Sequence, residues 1–592
     1  MSIQIAQENQ PPAPATKGVA GGNAKVSRWQ RISGALLSLR GLAWLAALLL
    51  LGLYVRSIGF APVYDDNVLS EWGKLSDIPK FFLHDIFGSD GTAHSVYYRP
   101  LAMTYEFLLG YVSGGAPGWL HLGAVLLHLA VVFLAYKFGQ RLFGDDRLAL
   151  LTAVLFGLHP SKVESVAWIG SSCVDGLGAV FFFASLILFL KWQESSSVRW
   201  RAASVVLFAC AMLTKETMVF IPILIAMYLW LMTPRAGRTL RTVQALWPYA
   251  VVWIAYMAIR HQVIKPASAT ADYIHPTFTL ANLWTAPYSI WWYIGHLVMP
   301  WGLSVEYAAN IVERPTMAGF ALPAVALLLL LAATWWVWRR QRSRVSAFLI
   351  FWFVLTLAPA VIVAPMVLQH DRYLYLGCYA FCALVAWAIL RLGNLRPETR
   401  LVAALCVVAL WSGLTWHEMG YWDNDQTLWG RVLQISPSDP RAQLQMAFIY
   451  AEAGDPPRAL KMLDDILRAH PDSVSIWMAR AGILKANQQW DEARANYQKV
   501  MALTEAAAGH PVETGALARM RASAAYQLAL LDLAAGNSME AEHYARTALS
   551  SNFKGVGYHE ALSRSLLGEG RADEAKAENA LELRLRLAQQ RH

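Results

Sequence analysis

Charge is what this sequence has least of. Asp, Glu, Lys and Arg make up 15% of its 592 residues, where a soluble protein carries about a quarter. The shortfall excludes a wholly soluble chain of this length and puts much of it in lipid. Acid is the scarcer sign, 41 Asp and Glu against 50 Lys and Arg. In a soluble protein that excess would suggest a nucleic-acid partner. Here basic loops beside apolar runs account for it, and no nucleic-acid partner is expected. Cysteine is scarce too: Cys173, Cys210, Cys378, Cys382 and Cys406, without the spacing of a zinc site. Cys378 and Cys382, four apart on an apparent helix, read as packing. What is plentiful is apolar and aromatic surface, 56% hydrophobic with 25 tryptophans, as expected where helix ends meet headgroups.

Residues 1–33 are rich in Pro, Ala, Gly and Gln and read as a disordered tail. The first apolar run starts too late for a secretory signal and lacks a small-residue cleavage site. A spanning helix needs about 20 apolar residues. Eleven candidate spans follow: 34–55, 117–137, 148–168, 174–191, 201–214, 217–232, 245–263, 319–338, 346–364, 374–390 and 400–416. The stretch 282–301, with Pro287 and Pro300, reads as a re-entrant or interfacial segment. Basic residues gather at every second loop, from Lys25, Arg28 and Arg31 to Arg391, Arg396 and Arg400. By the positive-inside rule those loops and the N-terminus are cytoplasmic. Loops 56–116, 169–173, 215–216, 264–318 and 365–373, and everything after 416, then lie outside.

The membrane part is expected over 34–416 and a linker over 417–436. From 437 to 592 the chain is Ala-rich and mixed in charge. Gly454, Gly536 and Gly570 set a 34-residue period, with repeats near 440–473, 474–507, 522–555 and 556–589. Each has Ala at its small mid-repeat position, namely Ala459, Ala493, Ala541 and Ala575. Small residues there let two antiparallel helices pack closely, which is the tetratricopeptide pattern. The expected fold is all-α: a polytopic membrane domain of about 11 spans, then a soluble α-solenoid.

The outer face holds the unusual polar residues. Asp65 and Asp66 follow the first span. Adjacent carboxylates repel and need solvent, a cation or a proton. Such a pair serves as a general base, as a divalent-metal contact with Asp66 the candidate ligand, or plainly as a helix cap. Arg99, in Tyr-Arg-Pro-Leu, suits a phosphate or anchors in headgroups. His121 and His128 share a helical face. His159, Lys162, Glu164 and Asp175 are ionisable residues in apolar sequence, which marks a candidate functional site. Lys215 and Glu216 stand between two short spans, able to neutralise one another or to meet a phosphate. His370, Arg372 and Tyr373, with Asp371 and Tyr375, complete the set. Acids, cations and histidines on one membrane surface suit a reaction that releases an anionic leaving group at the bilayer edge. A lipid-phosphate-linked sugar is such a substrate.

In order and spacing these landmarks resemble the transmembrane-and-tetratricopeptide O-mannosyltransferases and their bacterial relatives, within the C-type glycosyltransferase superfamily. The landmarks are Tyr-Asp-Asp at 64–66, Tyr-Arg-Pro-Leu at 98–101, His121 and His128, Leu-His-Pro with Glu164, Lys215-Glu216, Arg-Tyr-Leu-Tyr at 372–375 and Trp422-Asp-Asn424. The resemblance implies a polyprenyl-phosphate sugar donor, inverting displacement and a base in the first outer loop, for which Asp65 is favoured over Asp66. It implies mannose or another hexose as the sugar, protein Ser or Thr as acceptor, and repeats that bind protein partners. It also implies a bacterial inner membrane with a periplasmic active face. The family leaves metal dependence open. Two positions depart from its pattern: Lys162 replaces a histidine and Cys173 an arginine. A lipid or polysaccharide acceptor would use the same chemistry. A non-catalytic scaffold that recruits envelope proteins through its repeats is the alternative of another class.

Overall fold

The computed structural model describes residues 38–66, 74–86, 97–270, 280–307, 311–341, 343–362, 369–391, 396–507, 515–550 and 557–589. The tail expected over 1–33 lies outside them. Among the described residues the fold is all-α, without a strand.

Among the described residues seven helices are long and apolar enough to cross a membrane: Leu39–Gly59, Pro117–Phe143, Ile169–Ser195, Arg238–Ile264, Met317–Trp336, Asp371–Arg391 and Pro397–Trp422. Glu216–Met232 and Arg344–Ala358 are shorter apolar helices. The eleven expected spans are therefore not all helices of spanning length. The expected span 148–168 is corrected: its helix, Asp146–Leu158, ends where His159 turns extended ahead of Pro160. A residue before proline is driven from the α region. The expected outer loop 169–173 is corrected as well. Those residues begin a continuous helical run, α-helical at Ile169–Ser171, π-helical at Ser172–Gly176 and α-helical again at Leu177–Ser195. A π-helical turn of this kind often marks a functional site. The stretch 282–301 is mostly one helix, Leu280–Val298, with Pro287 inside it.

After Pro397–Met419 a short helix, Asp425–Ile435, leads into the solenoid. Four helix pairs follow: Pro440–Glu452 with Pro456–Ala469, Val474–Ala486 with Trp490–Ala507, Gly515–Ala535 with Ser538–Ser550, and Tyr558–Gly568 with Ala572–Gln589. Gly454, Gly536 and Gly570 end the first helix of three pairs with φ of 81°, 79° and 79°, left-handed backbone that glycine adopts without a Cβ clash. In the second pair Gln488 takes that conformation. Ala459, Ala493, Ala541 and Ala575 are at most 1% exposed. Ala459 packs with Ala447, Leu463 and Ile476, so the helices touch where the chain is smallest.

Candidate active site

The first outer loop turns at Tyr64, whose φ of 63° lies in the left-handed region. For a residue with a Cβ this costs on the order of 1–2 kcal/mol, so contacts must hold it. Tyr64 N–H donates to Asp425 Oδ1 at 2.8 Å and its hydroxyl donates to Glu306 Oε1 at 2.7 Å. Its ring lies 5.6 Å from Trp429 and 5.0 Å from Trp168.

The turn sends the next two carboxylates to different partners. Asp66 is 3% exposed and accepts from the backbone N–H of Ile169 at 3.1 Å and of Gly170 at 2.9 Å. Both its oxygens are thus spent on the open N–H groups at the start of the helical run at 169, where the helix dipole also favours a negative charge. Asp65 accepts at Oδ1 from Trp168 Nε1 at 2.8 Å. Its Oδ2 lies outside that bond. The Asp65 side chain is exposed by surface area, but the protein packed around it desolvates the carboxyl and pushes it above the usual range, while the Trp168 bond and the charges of Arg372 and Arg441 pull it down. Asp66 is pushed up further by burial, against the pull of its two backbone donors.

Trp168 is an extended residue between the helical turns Val163–Ala167 and Ile169–Ser171. Its ring carries the Arg372 guanidinium 5.1 Å from its centroid. One indole therefore presents its N–H to the acid and its face to a cation. Arg372 donates from its backbone N–H to Glu164 Oε2 at 2.8 Å, and from Nη1 to Oε1 at 2.5 Å. Its guanidinium also sits 5.3 Å from the Tyr373 ring, and Lys215 Nζ lies 5.9 Å from the same ring. Lys215 pairs with Asp175, which Ser171 Oγ also bonds at 3.1 Å. The neighbouring Glu216 holds Arg99 through two bonds, at 3.0 and 2.6 Å. Asp65, Trp168, Arg372, Tyr373, Lys215 and Asp175 thus form a continuous series. Every cation in it already has a carboxylate partner, which keeps it charged inside an apolar shell.

His370 stands behind this row. Its Nδ1 is 3.0 Å from the Val305 carbonyl and 3.9 Å from Glu164. The next residue, Asp371, accepts from the Tyr307 hydroxyl at 2.6 Å. Two residues expected at the substrate bond to backbone carbonyls. Lys162 is fully buried, with Nζ donating to the carbonyls of Tyr375 at 3.0 Å and Leu374 at 3.3 Å. His159 is fully buried, bonded to Leu297 O at 3.0 Å and packed 4.6 Å from the Trp411 ring. Both are satisfied by backbone groups within the helix packing. His128 bonds Tyr375 and Gly157 in the same interior.

Residues 112–264 match the family described as dolichyl-phosphate-mannose-protein mannosyltransferase, and residues 428–483 match the tetratricopeptide repeat. The protein O-mannosyl-transferase TMTC2 of Mus musculus is 31% identical over 192 residues, which are 30% of this chain and 22% of that protein. TMTC3 of Homo sapiens is 22% identical over 465 residues, 71% of this chain and 50% of that protein. The chain is similar to these protein O-mannosyl-transferases over those stretches. It spans half or less of their length. Among solved structures, an oligosaccharyltransferase of Archaeoglobus fulgidus in the apo form superposes with a TM-score of 0.40 at 12% identity, over 68% of this chain and 59% of that one.

Cys173 is 1% exposed and packs on Leu120 and Ile169. An acid missed in the sequence lies nearby. Glu106, on the helix Pro100–Ser113, is pushed up to about 7 by burial and then by the charge of Asp65. Glu106 is partly buried. Nothing in the local sequence marks Glu106, because only the tertiary fold brings its helix to the Asp65 loop. Among the described residues no three His, Cys, Asp or Glu side chains are arranged to hold a metal ion. Asp66, the candidate ligand, has both oxygens on backbone donors.

Proposed function

We propose that the chain is an inverting glycosyltransferase of a bacterial inner membrane, moving a hexose from a polyprenyl phosphate to Ser or Thr of a periplasmic protein. Family likeness favours mannose. The observation that carries the reading is the shared indole of Trp168, which sets the base candidate Asp65 beside the cation Arg372. A displacement at a sugar carbon needs that pairing.

In this scheme the acceptor hydroxyl gives its proton to Asp65 as its oxygen forms the bond to the anomeric carbon. The bond from that carbon to the phosphate oxygen breaks on the opposite face, and its electron pair leaves with the phosphate. Arg372, Lys215 and Arg99 stabilise the charge that builds there. Preset donors lose little reorganisation at that moment. A base whose carboxyl is raised takes a proton more readily than an ordinary aspartate. Glu164, Asp175 and Glu216 hold the three cations in place, and Asp66 holds the start of the helix that carries Asp175. The lipid chain stays in the bilayer, so the phosphate arrives at the level of the outer loops. No step in this scheme needs a metal.

The test is transfer of a labelled hexose from polyprenyl phosphate to membrane and periplasmic protein by the purified chain. Transfer should occur with the native chain and vanish with Asp65→Asn. Undiminished transfer by that variant would remove Asp65 from the chemistry.

A further inference from the structure

The solenoid region of the chain contacts the turn that bears the candidate base. Asp425 and Trp429 lie on the short helix Asp425–Ile435 that leads into the repeats. Arg441 lies in the first turn of the first repeat helix, Pro440–Glu452. All three converge on Tyr64. Asp425 Oδ1 accepts its backbone N–H at 2.8 Å. Trp429, 3% exposed, stacks on its ring with 19° between planes. Arg441 places its guanidinium 5.0 Å from the ring centroid and bonds Glu306 Oε1 at 2.5 Å, the oxygen that also takes the Tyr64 hydroxyl. A second outer segment is bound into the same junction. Arg431 Nε donates to the Leu303 carbonyl at 3.2 Å, and Ala61 N–H donates to the Asp423 carbonyl at 2.9 Å.

A tyrosine in the left-handed region does not hold that shape unaided. Here its backbone, ring and hydroxyl are each engaged, and every engagement except Trp168 comes from Glu306 or from the segment after 424. Asp65 is the next residue, so the direction of its carboxylate depends on that turn. We propose that Tyr64 is the positioning residue of the site and that the entry to the repeats sets it. Asp425, Trp429 and Arg441 orient Asp65 toward Trp168 without touching substrate. The consequence is that the repeats are needed for the chemical step as well as for any partner they bind. This proposal rests on the reading of Asp65 as base for its effect on transfer, but not for its effect on the turn.

The experiment therefore reads both. Asp425→Ala, Arg441→Ala and Tyr64→Phe are made in the full chain. Amide hydrogen exchange is followed at 61–66 and across the repeat helices. Exchange at 61–66 should rise at least tenfold while the repeat helices stay protected, and transfer at saturating donor should fall about 10- to 100-fold with little change in the donor KM. Tyr64→Gly should also lose transfer, although glycine fits the backbone, because the ring and hydroxyl contacts go with it. Unchanged exchange at 61–66 in Asp425→Ala and Arg441→Ala would overturn the proposal. So would Tyr64→Gly with native kcat. Raised exchange in a protein whose native form shows no transfer would leave the coupling standing and remove the enzymatic reading instead.

Discussion

Asp65 and Asp66 are neighbours in sequence, yet the turn at Tyr64 gives one an indole N–H and the other two backbone donors. Their substitutions should therefore fail differently. Asp65→Asn keeps an acceptor for Trp168 and should leave thermal unfolding unchanged, while transfer drops by about 10²- to 10⁴-fold with loss of the general base. Asp66→Ala leaves the helix start uncapped and should cost about 1 kcal/mol of stability, read as a lower unfolding midpoint, whereas Asp66→Asn can still cap. The pH profile carries a second expectation. Asp65 must be ionised to accept a proton, and burial raises its carboxyl. Transfer should fall as pH drops through a value above the ordinary aspartate pKa of about 3.9. Glu106 is pushed up to about 7, by burial first and then by the charge of an already ionised Asp65. Glu106→Gln should therefore leave the acidic limb where it is. A limb that moves with that variant would show that Glu106, not Asp65, sets it.

Helix termini and breaks place the cations. Lys215 caps the end of Val198–Thr214, and Asp175 sits in the π-helical turn Ser172–Gly176. Their side chains are 10% and 7% exposed, so removing either leaves a buried charge. Lys215→Met alone should destabilise by on the order of 3 kcal/mol. Lys215→Met with Asp175→Asn should recover most of that stability by thermal melt, but not transfer if Lys215 meets phosphate. Full transfer by the double variant would make the pair purely structural. The repeats offer a comparable test. Ala459 is fully buried between two helices, and Ala459→Leu should cost about 1–3 kcal/mol by overpacking. The loss should appear as lowered protection of Pro440–Glu452 and Pro456–Ala469.

At the scale of the whole molecule, the contacts of Tyr64 with Asp425 and Trp429 require the first outer loop and the repeats to share one compartment. In the topology proposed from the basic loops, that compartment is outside. Met539 is 77% exposed on the repeats, and Ser195 ends a helix on the opposite, basic side. With Cys406→Ser as background, Met539→Cys should react with a membrane-impermeant thiol reagent in intact cells whose outer membrane is permeabilised, and Ser195→Cys should not. The reverse pattern would invert the topology and move the proposed site to the cytoplasm.

Hydrophobic run length, loop charge and the 34-residue period were enough to read a polytopic helical chain with a repeat tail, because burial in lipid and helix-on-helix packing both write themselves into local composition. The landmarks of the outer face were legible too, as polar residues where apolar ones belong. Local sequence could not say which of them meet. It offered His159 and Lys162 as substrate contacts, while the helix packing buries both against backbone carbonyls. It ran a span through 148–168, where the His159–Pro160 break ends a helix. It was silent on Trp168 and Glu106, which come to Asp65 only when separate helices pack. The pairing of each cation with its acid, Arg99 with Glu216, Lys215 with Asp175 and Arg372 with Glu164, was likewise decided by the tertiary structure. The same holds for the outer turn at Asp65. Its sequence announces two acids, and residues more than 350 positions away determine where they point, because a left-handed tyrosine keeps its shape only through contacts from elsewhere in the chain.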